Sequence, residues 1–398
     1  MAKIVTSIDP GDQAIKIIVA EERSRGSIPR IIAAIREPSH GFRRGCVTDP
    51  DEATESIRTA LMVAEKAIGQ KIKRAYCALD GAGLASQILE GSTIASRADS
   101  EINDYDIGRI IETTEQKIAG LANRNILDTI PLSYKLDGKK ISGKPQGMKG
   151  SRLEARILFI TCLARELDEL FDVVENAGVS VAGVLPSPIA ASLVTLGKSQ
   201  KYAGCVLADI GSETTKIAVF EEGIIHSIEV FDIGSQDVTN DIALGLKVSL
   251  DDAEKIKREE GHHVFAQKKL SEIIDARLSD IFELVDGHLK KLGRNELLPA
   301  GIIITGGGSF IPKIELLASH YLNLPARIAS PLFPQNVRAH EEASKDIDRM
   351  YIKDPTYSVA YGLAMFGMNP PKDGGGDMTF RNRKFFGGLE NIFKHFLP

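Results

Sequence analysis

At 398 residues the chain exceeds what one compact core holds, and two or more domains are expected on a prior of ~150 residues each. Its composition, 43% hydrophobic and 26% charged with no tryptophan, is that of a soluble globular protein. A formal net charge of −5 lacks the basic excess of nucleic-acid binders, so no nucleic acid is expected as a partner. Any membrane contact must then come from a local basic segment. The four cysteines (Cys46, Cys77, Cys162 and Cys205) are widely spaced, with no Cys-x-x-Cys pair, so neither a zinc site nor a disulfide scaffold follows and a reducing cytosol fits best. Met1 to Val5 meets Asp9 too soon for a signal-peptide apolar region. No run approaches the ~18 apolar residues of a spanning helix. The expectation is a protein that is made and stays inside the cell.

The first predicted element is a hairpin over residues 7–22, SIDPGDQAIKIIVAEE, in which an Asp-x-Gly turn joins two β-rich runs. It recurs 200 residues later as LADIGSETTKIAVFEE over 207–222, aligning Asp9 with Asp209, Gly11 with Gly211 and Lys16 with Lys216. Two such hairpins at matching positions in the two halves point to duplicated domains. Asp and Gly are common in ordinary turns, which is the bland reading of either copy alone. The matched pair favours phosphate binding. Glycine lets backbone N–H groups approach an anion, and an aspartate suits Mg²⁺ held partly through water.

Further along, Ala300–Thr305 reads as a buried strand, Gly306-Gly307-Gly308-Ser309 as the loop leaving it, and Pro312 to Ser319 as a helix start. A strand, a glycine loop and a helix N-terminus commonly build a nucleotide site.

The chain then reaches a Pro/Gly-rich linker at 369–379 and an aromatic, basic tail at 380–398. In the tail, Phe385, Phe386, Leu389, Ile392, Phe393, Phe396 and Leu397 follow helical spacing as one stripe, flanked by Arg383 and Lys384. Such a helix suits the surface of an anionic bilayer, and Gly387-Gly388 implies that it folds on binding. The alternative is a terminal helix docked on the protein's own core, which the linker disfavours.

Two Asp-x-Gly hairpins followed by a glycine loop after a strand is the motif order of the actin/Hsp70/sugar-kinase superfamily. Within it the chain resembles the FtsA family of bacterial cell-division proteins over almost its full length. The resemblance rests also on Pro145–Ala155 (PQGMKGSRLEA), Asp237–Leu246, Ala253–Lys257 and Tyr357–Ala364. It implies an α/β, actin-like two-lobed fold of duplicated mixed sheets flanked by helices, with ATP and Mg²⁺ in the cleft. The first half would span 1–83 and 161–202, an inserted FtsA-type (SHS2) subdomain 84–160, the second half 203–240 and 299–368, and a helical subdomain 241–298. The insert reads as a helix over Asp104–Ala122 with strands near Ile126–Leu136 and Leu153–Cys162.

Matched motif by motif, the resemblance assigns Asp9, Gly11, Asp12 and Lys16 to the first phosphate element and Asp209, Gly211 and Ser212 to the second. Asp9 and Asp209 would organise Mg²⁺, and Gly234 would lie near ribose and phosphate. Glu254, Lys257 and Arg258, together on one helix face by their spacing, would approach ribose and adenine. Gly306, Gly307 and Gly308 would line the nucleoside pocket. The chain departs from the family pattern at Asp12, Glu213, Lys216 and Ser235. Asp12 and Glu213 would bring negative charge toward bound phosphates, at about 4 kcal/mol for a like-charge pair 4 Å apart. Mg²⁺ or Lys216 could compensate, and either these side chains point away, as period-2 alternation permits, or nucleotide binds weakly or differently. ATP binding is expected to survive, with hydrolysis slow or absent, and no catalytic residue is assigned.

The resemblance implies a division adaptor that polymerises with itself, binds the C-terminal peptide of FtsZ and holds it to the inner face of the cell membrane at the division site. Lys290, Lys291 and Arg294 are basic candidates for that acidic peptide. The alternatives are an FtsA-like scaffold of another envelope machine, such as the pilus-assembly protein PilM, and a sugar-kinase-type phosphotransferase.

Overall fold

Two runs of β-branched residues set the frame. In the computed structural model, which describes residues 3–22, 29–258, 267–329 and 354–369, Lys3–Pro10 pairs with Ala14–Glu22 as an antiparallel hairpin. The hairpin belongs to a five-stranded sheet in the order Ser180–Pro186, Arg74–Leu79, Lys3–Pro10, Ala14–Glu22, Arg30–Pro38. The first three strands are parallel and the last two join antiparallel.

A second five-stranded sheet repeats this topology: Ala326–Ile328, Ile302–Thr305, Cys205–Ile210, Thr215–Glu221, Ile224–Phe231. Register repeats as well, with Asp9 opposite Lys16 and Asp209 opposite Lys216. The duplication read from the sequence is therefore present in space.

Both faces of each sheet are covered, which is why the central strands are apolar along nearly their whole length. On the first sheet, Ala53, Ile57, Ala60 and Leu61 of the helix Pro50–Ile68 pack into one face. That helix starts where Asp49 accepts the amides of Asp51 and Glu52 ahead of Pro50, and ends at Gly69 in the left-handed region. Tyr361 and Ala364 of the helix Ser358–Met368 cover the opposite face, against Val5, Ile18 and Ala20. The second core packs the helices Ser235–Leu246, Gln267–Leu292 and Ile314–Leu322 around Val206, Ile217 and Ile304.

Between the strands Arg74–Leu79 and Ser180–Pro186 the chain makes a separate four-stranded antiparallel sheet, in the order Ala85–Ile94, Arg152–Leu163, Arg124–Leu136, Lys139–Ile141. The helix Asp104–Glu115 lies on it, with Ile110 packed among Leu153, Ile157 and Phe159. This helix is shorter than the expected Asp104–Ala122. Lys117 and Ile118 donate back three residues, to Thr114 and Glu115, and Gly120 turns left-handed. Ile118 and Leu121 still reach the same core from these turns, which is why the apolar spacing runs past the helix end. The GMKGS segment laces the rim: Gly147 and Gly150 donate to the carbonyls of Ile102 and Ser100.

No described helix is long and apolar enough to cross a membrane. The tail at 380–398 lies outside the described residues.

Candidate functional site

The two Asp-x-Gly turns close in the same way. Gly11 N–H donates to the Ala14 carbonyl at 3.2 Å, and Gly211 N–H to the Thr214 carbonyl at 2.8 Å. Each turn therefore presents its aspartate at the end of a central strand. Asp9 and Asp209 are both buried.

Lysines occupy the space between the carboxylates. Lys16 Nζ lies 2.6 Å from Asp9, while Lys216 Nζ lies 2.9 Å from Asp80 and 3.6 Å from Asp209. Ser187 Oγ donates to the other oxygen of Asp80. Burial alone would lower the Lys216 pKa, but Asp80, Asp209 and Asp9 together hold it above the ordinary lysine range. Burial raises the Asp209 carboxyl, with Lys216 opposing. Lys216 is therefore part of the cleft floor, committed to carboxylates from both halves, and is not a free cation for phosphate.

Asp12 and Glu213 do not aim into the cleft as unpaired charges. Asp12 Oδ1 accepts the Gly45 amide at 2.7 Å, and Glu213 Oε2 accepts the Arg44 amide at 3.0 Å. Burial raises the Asp12 pKa, with the Gly45 amide acting the other way. The repulsion expected from these side chains is thus partly met by donors of the 41–47 turn.

Beside this floor lies a cavity of about 340 Å³, a size suited to a small-molecule ligand. Gln13 and Arg36 line it from the first half; Ser212, Ser235 and Gln236 come from the second turn and the helix after it. Glu254, Lys257, Arg258, Gly307, Phe310 and Thr356 complete the wall. Of the residues singled out from sequence, the structure brings Ser212, Ser235, Glu254, Lys257, Arg258 and Gly307 to one cavity; Asp9, Gly11, Lys16, Asp209 and Gly211 do not line it, although Gln13 and Ser212 of the same two turns do.

The glycines divide the work. A Cβ on Gly306 would stand 2.3 Å from Asp209 Oδ1, and one on Gly308 would strike Ile210, so both permit close packing on the strand end. Gly307 has open space and borders the cavity. Gly234 backs the second turn, where a Cβ would stand 2.3 Å from the Ser212 carbonyl oxygen. The helix beyond it is docked there, because Ser235 and Gln236 N–H donate to Gly211 and Ser212. Ser235, where the family pattern has a glycine, borders the cavity.

Glu254 accepts from Thr239 at 2.6 Å and pairs with Lys257 and Arg258. Burial works to raise the Glu254 carboxyl, but bonds from Lys257 and Thr239 hold it below the usual range. Lys257 is buried, with its pKa lowered by burial against the pull of Glu254. Arg258 is the more exposed cation of the pair.

Two observations bear on whether a nucleotide with Mg²⁺ fits. Thr214 Oγ1, in the second turn, and Thr356 Oγ1, on the cavity wall, are buried with no hydrogen-bond partner among the described residues. Buried hydroxyls of this kind are ordinarily satisfied, and of the two it is Thr356 that borders the cavity, where a ligand could supply the missing partner. No group of three or more His, Cys, Asp or Glu side chains poised for a metal occurs among the described residues.

Two of the three basic candidates at the end of Gln267–Leu292 have acidic partners. Lys290 pairs with Asp286 at 2.6 Å, and Arg294 reaches Glu221 at 2.8 Å. Sequence reasoning missed Asp80 and the Arg43-Arg44-Gly45 turn. For Asp80 the signal was there, an Asp-Gly directly after the apolar strand Arg74–Leu79.

Duplicated sheets of one topology, facing Asp-x-Gly turns and a sheet-and-helix insert define an actin-like protein. The model described as "Cell division protein FtsA" matches residues 206–362, and "SHS2 domain inserted in FTSA" matches 81–161. The chain belongs to the FtsA family of cell division proteins. It is 29% identical to FtsA of Bacillus subtilis, over 95% of this chain and 87% of that one. It is 28% identical to FtsA of Pseudomonas aeruginosa, over 94% and 91%.

Among solved structures, the PilM-PilN type IV pilus biogenesis complex superimposes with a TM-score of 0.67 at 17% identity, covering 92% of this chain and 99% of that one. MreB5 of Spiroplasma citri bound to ADP gives 0.52 at 14%, covering 92% and 96%. These two likenesses concern fold alone.

Proposed function

We propose that the chain is a division adaptor that binds ATP with Mg²⁺ between its two lobes, polymerises in an actin-like manner and anchors FtsZ filaments to the cytoplasmic membrane. The cavity beside the paired Asp-x-Gly turns carries the nucleotide part of this reading. The Gly11 and Gly211 turns would cradle the phosphates, with Lys16 at the floor. Lys257 and Arg258 supply cationic character on the nucleoside side, where Gly307 leaves room for close approach. Bound Mg²⁺ would neutralise phosphate charge, with Asp9 and Asp209 orienting its waters.

The floor argues against fast hydrolysis. Asp9, Asp80 and Asp209 are each ion-paired to a lysine, which opposes proton uptake from water at these carboxylates. The protein's work is then conformational, with the nucleotide setting the lobes and their assembly. The 380–398 tail would supply the membrane contact and the helical subdomain at 241–298 the FtsZ contact.

Equilibrium dialysis with labelled ATP and Mg²⁺ tests the nucleotide reading. Saturable binding with little phosphate release is expected, and no binding at millimolar nucleotide would sink it.

A further inference from the structure

The turn at 41–47 is the feature that neither the fold nor the nucleotide reading uses. It leaves the first sheet, and Arg44 and Gly45 follow one another in the left-handed region, at φ of 50° and 73°. Gly45 has no room for a side chain: a Cβ would stand 2.5 Å from the Gly81 nitrogen and 2.7 Å from Asp80 Cβ. The turn is therefore pressed onto the cleft floor at Asp80.

Consecutive backbone amides in such a turn make a concavity for anions. Here one carboxylate comes from each lobe, Asp12 onto the Gly45 amide and Glu213 onto the Arg44 amide. The side chains extend the contact, with Arg43 lying 3.8 Å from Glu213 and Arg44 3.4 Å from Asp232. Those two ion pairs are largely exposed and contribute little. The Asp12 bond seats the turn within its own lobe, and the Glu213–Arg44 bond is the amide–carboxylate contact that crosses to the other lobe.

We infer that the 41–47 turn is a clasp that joins the lobes across the phosphate end of the cleft without a ligand, and that it gates passage there. The two departures at Asp12 and Glu213 are its anchors. The gating half rests on the nucleotide reading; the joining half does not.

Hydrogen exchange on the full nucleotide-free protein separates them. Glu213→Gln sits in the other lobe, 169 residues from Arg44, yet it should speed exchange across 42–47 on the order of tenfold. The strand Cys205–Ile210 should stay protected, which reports that the lobe is folded. Glu213→Asp, which keeps the charge but shortens the side chain, should act likewise, and it decides the matter if Glu213→Gln unfolds the lobe. Exchange at 42–47 unchanged in the folded variant overturns the clasp.

Release of a fluorescent ATP analogue should quicken by a similar factor; an unchanged release rate overturns the gate. Failure of wild type to bind the analogue, with exchange still raised at 42–47 in the variant, removes the nucleotide reading and the gate but leaves the joining contact standing.

Discussion

Replacing Lys216 by methionine probes the cleft floor directly. The ammonium lies 2.9 Å from Asp80 and 3.6 Å from Asp209, and all three side chains are under a tenth exposed. Methionine keeps most of the volume and removes the charge, leaving two carboxylates buried side by side. Breaking a buried pair by deleting one partner costs ~3–5 kcal/mol. A favourable interaction of ~4 kcal/mol at 4 Å and an effective dielectric of 20 agrees in size. Equilibrium unfolding in urea at pH 8 should show that loss.

Its pH dependence has a definite sign. Burial raises the Asp209 pKa above its unfolded value. The folded state therefore binds that proton more readily, and stability from this group falls as pH rises through the folded pKa. Removing Lys216 takes away the opposing charge, so the variant's deficit should be largest at pH 8 and shrink toward pH 5. A loss under ~1 kcal/mol, or one that grows on acidification, would refute the reasoning.

Other outcomes follow from single sites. Gly306→Ala brings a methyl to 2.3 Å from Asp209 at a φ of 82°, and should cost more than ~1 kcal/mol in thermal unfolding while weakening nucleotide binding; a neutral effect on both counts against the packing described. Lys201 is buried over the Phe220 ring with its pKa lowered to about 7 by burial, so its contribution to stability is full above pH 10.5 and lost as pH falls through about 7. Lys201→Met should therefore be more stable than wild type at pH 6, an advantage that narrows by pH 9; an advantage that widened would contradict the burial. Deleting 380–398 should release the protein from anionic liposomes, since ~1.5–3 kcal/mol per buried apolar side chain is lost with it; retained flotation would remove the anchor.

Much of the frame was legible because it is written locally. The hairpins at 7–22 and 207–222 are sequence-adjacent strands with their turn between them, so alternation and the Asp-x-Gly spacing report them without knowledge of the fold. The match between them reports the duplication, and the register Asp9–Lys16 and Asp209–Lys216 follows from the same spacing.

What stayed hidden depends on strands meeting across long separations. Asp80 reaches Lys216 only because Arg74–Leu79 lies beside Lys3–Pro10 and the lobes face each other. Asp12 and Glu213 read as unwanted charge beside phosphate, because nothing near them in sequence shows that residues 44 and 45 supply their partners. The Arg294–Glu221 pair was hidden for a similar reason, joining a helix end to a strand end, whereas the Lys290–Asp286 pair lies at i,i+4 on one helix and was open to view.

The adaptor reading is tested most directly by flotation of FtsZ with vesicles containing anionic lipid. With the full chain, ATP and Mg²⁺ present, FtsZ should rise with the vesicles; with the chain lacking 380–398 it should remain below. FtsZ left at the bottom while the full chain floats would contradict the account.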